Sequence, residues 1–266
     1  LPPRPGVSYK VRVSVSPTAQ YVWAKQLGGA GAETATSVAV QPSGLKVYAT
    51  GYFDGPTKIG SATSANTAGN IDGYFTEFDS DGNITNTMLL TGTASNDERV
   101  IGVVTDRDGN VYVAGYTSSP AATFGLFSVA PRGPSDTRNM FVYKFAPDGS
   151  LVWSNISKGS ATQSSWADAT DIGIRYSSSN APEVIVVGRF QRYMEVGVNS
   201  GGVIERSPVY TNTTNRNYYV VYDAAGYPRL TVNATAPAAV TGVTYKSKRA
   251  TDTLGFIYDT DSYSGP

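Results

Sequence analysis

The chain has 266 residues, with 21 Lys and Arg against 21 Asp and Glu, and it contains neither His nor Cys. This composition excludes histidine-based triads and metal sites, disulfides, thiolate nucleophiles and the usual zinc sites. Only 16% of the residues are charged and the net charge is zero, so we expect no nucleic-acid partner, because such proteins carry a basic excess. No apolar run approaches the roughly 18 residues of a membrane-spanning helix, so we expect no membrane insertion.

Low charge together with abundant Ser, Thr, Asn, Gly and Tyr is typical of extracellular β proteins. We therefore expect an extracellular or cell-surface location. The start at Leu1–Gly6 lacks the apolar core of a secretory signal, which favours a processed chain or an excerpt from a longer one.

Short runs of β-branched and aromatic residues, separated by Gly, Asn, Asp, Pro and Ser, predict an all-β chain, and helical spacing is scarce. In chain order, the predicted strands are Tyr9–Val15, Ser37–Val40, Lys46–Thr50, Tyr74–Phe78, Val100–Thr105, Val111–Tyr116, Phe141–Phe145, Val184–Phe190 and Tyr218–Tyr222, followed by Val240–Tyr245 and Leu254–Tyr258.

Residues 1–15 form a predicted N-terminal arm, and residues 16–266 form the main domain. Three prolines hold the start of the arm extended, and Tyr9, Val11, Val13 and Val15 then place apolar side chains on one face of a strand. Two alternatives stay open for this strand. It completes a sheet of its own chain, or it is donated to the sheet of a neighbouring copy, which would build a filament.

A repeat organises the main domain. Buried-looking strands that end in Gly plus one or two further residues recur at Val47–Phe53, Val111–Thr117 and Val184–Phe190. Each is followed by a hairpin, turning at Gly82, Gly149 and Gly226. The unit of about 65–75 residues is longer than the usual blade repeat. It predicts a four-stranded antiparallel meander, the blade of a β-propeller, with long loops at Asp54–Asp72 and Ser118–Asn139.

The strand VYVAGYT (Val111–Thr117), the hairpin FVYKFAPDGSLVW (Phe141–Trp153) and the LGG at Leu27–Gly29 resemble the SBBP (seven-bladed β-propeller) repeat family. This resemblance covers most of the chain up to about Asn233. It implies a propeller-like, usually extracytoplasmic, surface or adhesion-type module, and it supplies no catalytic residues. The sequence begins in the middle of one repeat unit and ends in the middle of another. The two partial units either join as one shared blade or leave an open arc with unpaired edges.

Two turns, Asp79–Asn83 and Asp106–Asn110, have the spacing of short calcium loops but lack the distal Glu of an EF-hand. Side-chain capping of the turns by Asp and Asn is the alternative that we favour. We therefore expect no metal and no cofactor. Glycosylation sequons begin at Asn83, Asn155, Asn212 and Asn233.

Most of the recurring aromatic residues are expected to pack between units, although a sugar-stacking platform is the alternative. These residues are Trp23, Tyr48, Phe75, Tyr112, Phe141 and Trp153. Trp166 has no counterpart in the other units, so it is the candidate ligand contact.

A glycosidase or lyase would need two carboxylates flanking its substrate, and the candidates in the third unit are Asp168, Asp171, Glu183, Glu195 and Glu205. No pair can be placed from the sequence, so we predict no enzyme. The expected function is a non-enzymatic extracellular structural or adhesive module, including a fibre protomer joined by strand donation. Its partners would be copies of itself or surface glycans. The alternatives are a carbohydrate-binding module and, after it, a propeller enzyme.

Overall fold

The computed structural model describes residues 8–14, 21–29, 31–64, 71–93, 96–129, 136–160, 162–232, 244–245, 249–251 and 257–263. These residues form 23 strands, numbered β1 to β23 in chain order, and no helix, which confirms the all-β prediction. Within these ranges, no helix is long and apolar enough to cross a membrane.

Three consecutive units are each a four-stranded antiparallel meander, as the repeat predicts. Unit 1 contains β3 (Ala32–Val40), β4 (Lys46–Asp54), β7 (Ile71–Asp79) and β8 (Ile84–Thr91). Unit 2 contains β9 (Glu98–Thr105), β10 (Val111–Thr117), β13 (Asp136–Phe145) and β14 (Leu151–Ile156). Unit 3 contains β15 (Ser165–Tyr176), β16 (Pro182–Gln191), β19 (Arg216–Tyr222) and β20 (Pro228–Val232).

The prediction of long loops at Asp54–Asp72 and Ser118–Asn139 is wrong. Each unit instead carries a short hairpin between its second and third strands. The hairpins are β5 (Thr57–Ile59) with β6 (Ala62–Ser64), β11 (Ala122–Phe124) with β12 (Phe127–Val129), and β17 (Glu195–Val198) with β18 (Ile204–Arg206). Strands of three or four residues are too short to show a period in the sequence. Two hairpins reach back to the preceding unit: β11 pairs with β8, and Glu195 bridges to Lys158, just after β14.

The two ends of the chain share a further sheet, the terminal sheet. It contains β1 (Ser8–Ser14), β2 (Tyr21–Leu27), β22 (Arg249–Thr251) and β23 (Ile257–Tyr263), in the order β2-β1-β23-β22. Strand β1 pairs with β2 on one side and with β23 on the other. Within one chain, β1 therefore pairs with its own β2 and β23, and donation of β1 to a neighbouring copy stays a prediction.

The residues assigned to assembly have these positions in the terminal sheet. Tyr9 pairs with Leu27 and Ser262, Val11 with Lys25 and Thr260, and Val13 with Tyr258. Val15 lies outside the described residues. Of the two last predicted strands, Val240–Tyr245 overlaps β21 (Thr244–Tyr245), which pairs with β15, and Leu254–Tyr258 overlaps β23.

Apolar cores lie between consecutive units. One core joins units 1 and 2 and contains Tyr48, Phe75, Val103, Val113 and Phe141. A second joins units 2 and 3 and contains Tyr112, Val142, Val186, Tyr218 and Tyr222. A third joins unit 1 to β2 through Trp23 and Leu27. Each unit is thus stabilised by its neighbours, because its strands bury apolar side chains against the next unit.

The repeat glycines Gly51, Gly115 and Gly188 occupy equivalent positions in the second strand of each unit, next to a β-bulge in the first strand. A Cβ at these positions would lie 2.0, 2.1 and 1.9 Å from the carbonyl oxygens of Thr34, Arg99 and Asp168, respectively. Only glycine allows the two backbones to approach this closely. The sequence repeat is therefore a structural repeat.

Candidate functional site

Trp166, the predicted ligand contact, is half-buried on β15. The Arg138 guanidinium carbon lies 5.8 Å from the centre of the Trp166 ring and 4.6 Å from that of Tyr116. Asp168 is buried, and its Oδ2 lies 3.4 Å from Arg138 and 3.1 Å from Arg189. The surroundings of Trp166 are therefore an ion-paired joint between units 2 and 3.

The acidic residues of unit 3 considered for catalysis all have protein partners. Besides Asp168, they accept hydrogen bonds as follows: Asp171 from Ile172 N, Glu183 from Arg175 Nε and Arg229, Glu195 from the Tyr193 hydroxyl, and Glu205 from Asn199 Nδ2 and Leu230 N. The partners fix these carboxylates in place through charge-assisted hydrogen bonds.

Two buried carboxylates that the sequence analysis missed lie at the joints between sheets. Glu33 Oε1 accepts the backbone N–H of Gly29 at 2.6 Å and the hydroxyl of Thr57 at 3.4 Å. It thereby connects the residues after β2, the start of β3 and the β5–β6 hairpin. Burial raises its pKa, since desolvation penalises the charged form more than the hydrogen bonds stabilise it.

Glu98 holds the equivalent register position one unit later, and its hydrogen bonds lie within unit 2. Its Oε1 accepts the Thr117 hydroxyl at 3.0 Å and Ser119 N–H at 3.1 Å. Burial raises the pKa of Glu98 to about 7, and the nearby Asp72 carboxylate adds to the effect. Gly92, at the end of the preceding unit, lies so close that a Cβ there would be 2.6 Å from the Glu98 carboxyl carbon.

The two calcium-like turns are capped turns. Asp79 Oδ1 accepts the backbone N–H groups of Asp81 and Asn83, at 3.0 and 2.7 Å. Asp106 accepts the corresponding bonds from Asp108 and Asn110. Side-chain capping therefore accounts for both motifs, and the described part of the chain contains no group of three or more Asp or Glu that could hold a metal ion.

The recurring aromatic residues pack between units, as predicted. Trp23 on β2 donates its Nε1–H to Ser80 O at 3.0 Å and stacks on Phe78. Trp153 on β14 donates to Ala224 O at 3.2 Å and stacks on Tyr222. Each indole covers the turn glycine of the next unit, Gly82 or Gly226. The other four, Tyr48, Phe75, Tyr112 and Phe141, are buried.

The sequons differ in exposure. Asn83 is exposed, and its Nδ2 donates to Asp79 Oδ2 at 3.0 Å. Asn155 is half-buried beside Gly197. Asn212 is exposed and accepts a hydrogen bond from Arg216 at 2.7 Å, whereas Asn233 lies outside the described residues. Glycosylation stays a prediction at all four.

An open groove of about 320 Å³ lies at one end of unit 3. It is formed by the β15–β16 turn, the β19–β20 turn and the tip of the β17–β18 hairpin. Its lining includes Ser177, Glu183, Asn199, Asp223, Tyr227 and Arg229. The side chain of Tyr227 is an exposed aromatic in this lining, since the residue is 46% exposed.

The sequence analysis missed this groove, although one signal was present. Unit 3 departs from the repeat at its second hairpin, where Ala225–Gly226–Tyr227 stands in place of Asp148–Gly149–Ser150. The departure indicated a surface specific to this unit. The contribution of the hairpin tip could not be read locally, because it lies more than twenty residues away in the chain.

A comparison with protein-family models finds the same repeat in part of the chain. The family described as SBBP, Beta-propeller repeat, matches residues 88–120, which cover the end of β8 together with β9 and β10. A search of curated proteins found no significant match. Residues 88–120, which include the motif Val111–Thr117, therefore match the repeat family that this motif predicted.

Proposed function

We propose that the chain is a non-enzymatic, extracellular structural or adhesive module, in which the units are the blades of a propeller and the terminal sheet is the closing blade. The observation that carries the proposal is the repeated joint. Glu33, Glu98 and Asp168 are buried. Glu33 accepts the N–H of Gly29, which follows β2, Glu98 packs against Gly92 at the end of unit 1, and Asp168 pairs with Arg138 of unit 2. Carboxylates used in this way stabilise a scaffold.

The experiment combines sedimentation velocity, electron microscopy and binding to immobilised surface polysaccharides. A structural module self-associates as its concentration rises, whereas an adhesive module binds the polysaccharides as a monomer. A purified, folded chain that does neither would contradict the proposal. Turnover of a glycan substrate by the purified chain would instead favour a propeller glycosidase or lyase.

A fibre joined by strand donation is a second candidate, and the terminal sheet favours it. This sheet consists only of strands from the two ends of the chain, so β1 and β2 of one copy could replace those of another without changing any strand pairing. Such a swap preserves the strand pairings of the terminal sheet and, if it does not close on itself, builds a filament. Microscopy would show filaments, and these would persist on dilution.

A further inference from the structure

The groove at the end of unit 3 differs from the corresponding surface of the other units. The residue that closes the second hairpin turn through its backbone carbonyl is Asn83 in unit 1, Ser150 in unit 2 and Tyr227 in unit 3. Only unit 3, among these, places an aromatic ring there. The ring is 46% exposed and lines the groove, so it offers an aromatic face at a place where the other two units carry a polar side chain.

The turn holds Tyr227 in a defined position. Asp223 Oδ1 accepts the Tyr227 N–H at 2.9 Å and the Ala225 N–H at 3.0 Å. On the other side, Trp153 packs against Gly226. The ring is therefore presented from a rigid backbone, which lowers the entropic cost of binding a ligand.

Fixed polar groups surround this ring. Glu183 accepts hydrogen bonds from Arg175 Nε at 2.7 Å and from Arg229, whose side chain is 62% exposed. Ser177 and Asn199 line the same groove. Glu183 is thus paired with two guanidinium groups, and Asp223 accepts backbone N–H groups of its own turn. Each carboxylate of the lining already has a protein partner, so the groove favours a neutral ligand.

We propose that this groove binds a neutral oligosaccharide. The Tyr227 ring supports the apolar face of one sugar, and Glu183, Arg229 and Ser177 hydrogen bond to its hydroxyls, which both donate and accept. The volume of about 320 Å³ lies in the lower range of ligand sites. This site deepens the adhesive part of the proposed function and rests on it.

The test is isothermal titration of the full chain with maltotriose, cellotriose, mannotriose and tri-N-acetylchitotriose. We expect at least one of them to bind, and Tyr227→Ala to weaken that binding tenfold or more. Tyr227→Phe, which keeps the ring, should stay within about threefold of the original affinity. The matched control is Leu126→Ala, which removes a 99% exposed side chain from the β11–β12 turn and should change nothing.

Three outcomes would overturn the proposal. The first is an unchanged affinity in Tyr227→Ala, and the second is a loss of binding in Trp166→Ala alone, which would place the site at the joint of units 2 and 3. The third is the absence of binding to all four probes. If the chain still binds surface polysaccharides or self-associates in that case, the groove proposal fails and the proposed function stands.

Discussion

Glu33 accepts the backbone N–H of Gly29 at 2.6 Å, and this bond ties the residues that follow β2 to the first strand of unit 1. Gly29 belongs to the LGG motif that follows β2. Gly28, beside it, packs against the Glu33 side chain so closely that a Cβ would lie 2.8 Å from the carboxyl carbon. The small residues of the motif thus make room for the carboxylate, and Glu98 meets Gly92 in the same way.

Removal of the Glu33 carboxylate should destabilise this joint. Glu33→Ala leaves the Gly29 N–H without its acceptor and opens a space, so we expect a loss of about 2 kcal/mol in the free energy of unfolding. Glu33→Gln keeps an acceptor oxygen and should lose less than half as much. Urea denaturation measures both, and equal losses in the two variants would contradict the role of the hydrogen bond.

Stability should depend on pH through Glu98. Its pKa in the folded chain is raised by burial from the ordinary value of 4.5 to about 7, so the folded state takes up a proton more readily than the unfolded state. Glu98 therefore contributes its full stabilisation below its pKa in the unfolded chain, and this contribution is lost as the pH rises through its pKa in the folded chain. We expect the free energy of unfolding to fall by about 3 kcal/mol between these limits.

Glu98→Gln should remove most of this dependence when unfolding is followed by urea denaturation from pH 4 to pH 8. The matched control is Asp148→Asn. Hydrogen bonds from Ser150 lower the pKa of this exposed carboxyl, so its titration lies below the range in question. A dependence on pH that is unchanged in Glu98→Gln would show that another group causes it.

The repeat glycines should not tolerate a methyl group. In Gly115→Ala the new Cβ would lie 2.1 Å from Arg99 O and 2.6 Å from the Phe141 ring, so the strands must separate. We expect a loss of about 3 kcal/mol, as in overpacked cores. Gly201→Ala is the control, because its Cβ meets only Asn199 Oδ1, at 3.3 Å, and its thermal unfolding should match that of the original chain. Similar unfolding of both variants would refute the close approach.

Much of the repeat could be predicted from the sequence because it is encoded locally. Gly115 follows a run of apolar residues, and Asp106 begins a turn that it caps itself, so both features can be predicted from the local sequence. The joints could not be predicted in this way. Glu98 appears in the sequence as an ordinary surface acid, and its burial follows from contacts with Ser119 and Gly92, whose spatial positions no local pattern reveals.

The groove could not be predicted from local sequence either. Tyr227 and Arg229 are close in sequence, but Glu183 and Asn199 reach them from other strands and from the tip of an inserted hairpin. The strands of such hairpins have only three or four residues, so no period in the sequence reveals them. Trp166 and Tyr227 both depart from the repeat in the sequence, and the structure places Tyr227 on the more exposed surface.

The most direct test is a measurement of whether β1 pairs with β23 of the same chain. The chain has no cysteine, so a pair introduced by Val11→Cys and Thr260→Cys, which are register partners, reports this contact alone, at a separation that suits a disulfide. On a non-reducing gel, we predict a monomer that migrates faster than its reduced form, with Val11→Cys alone as the control. A ladder of covalent multimers, or a failure to crosslink in the folded chain, would contradict the pairing of β1 with β23 within one chain.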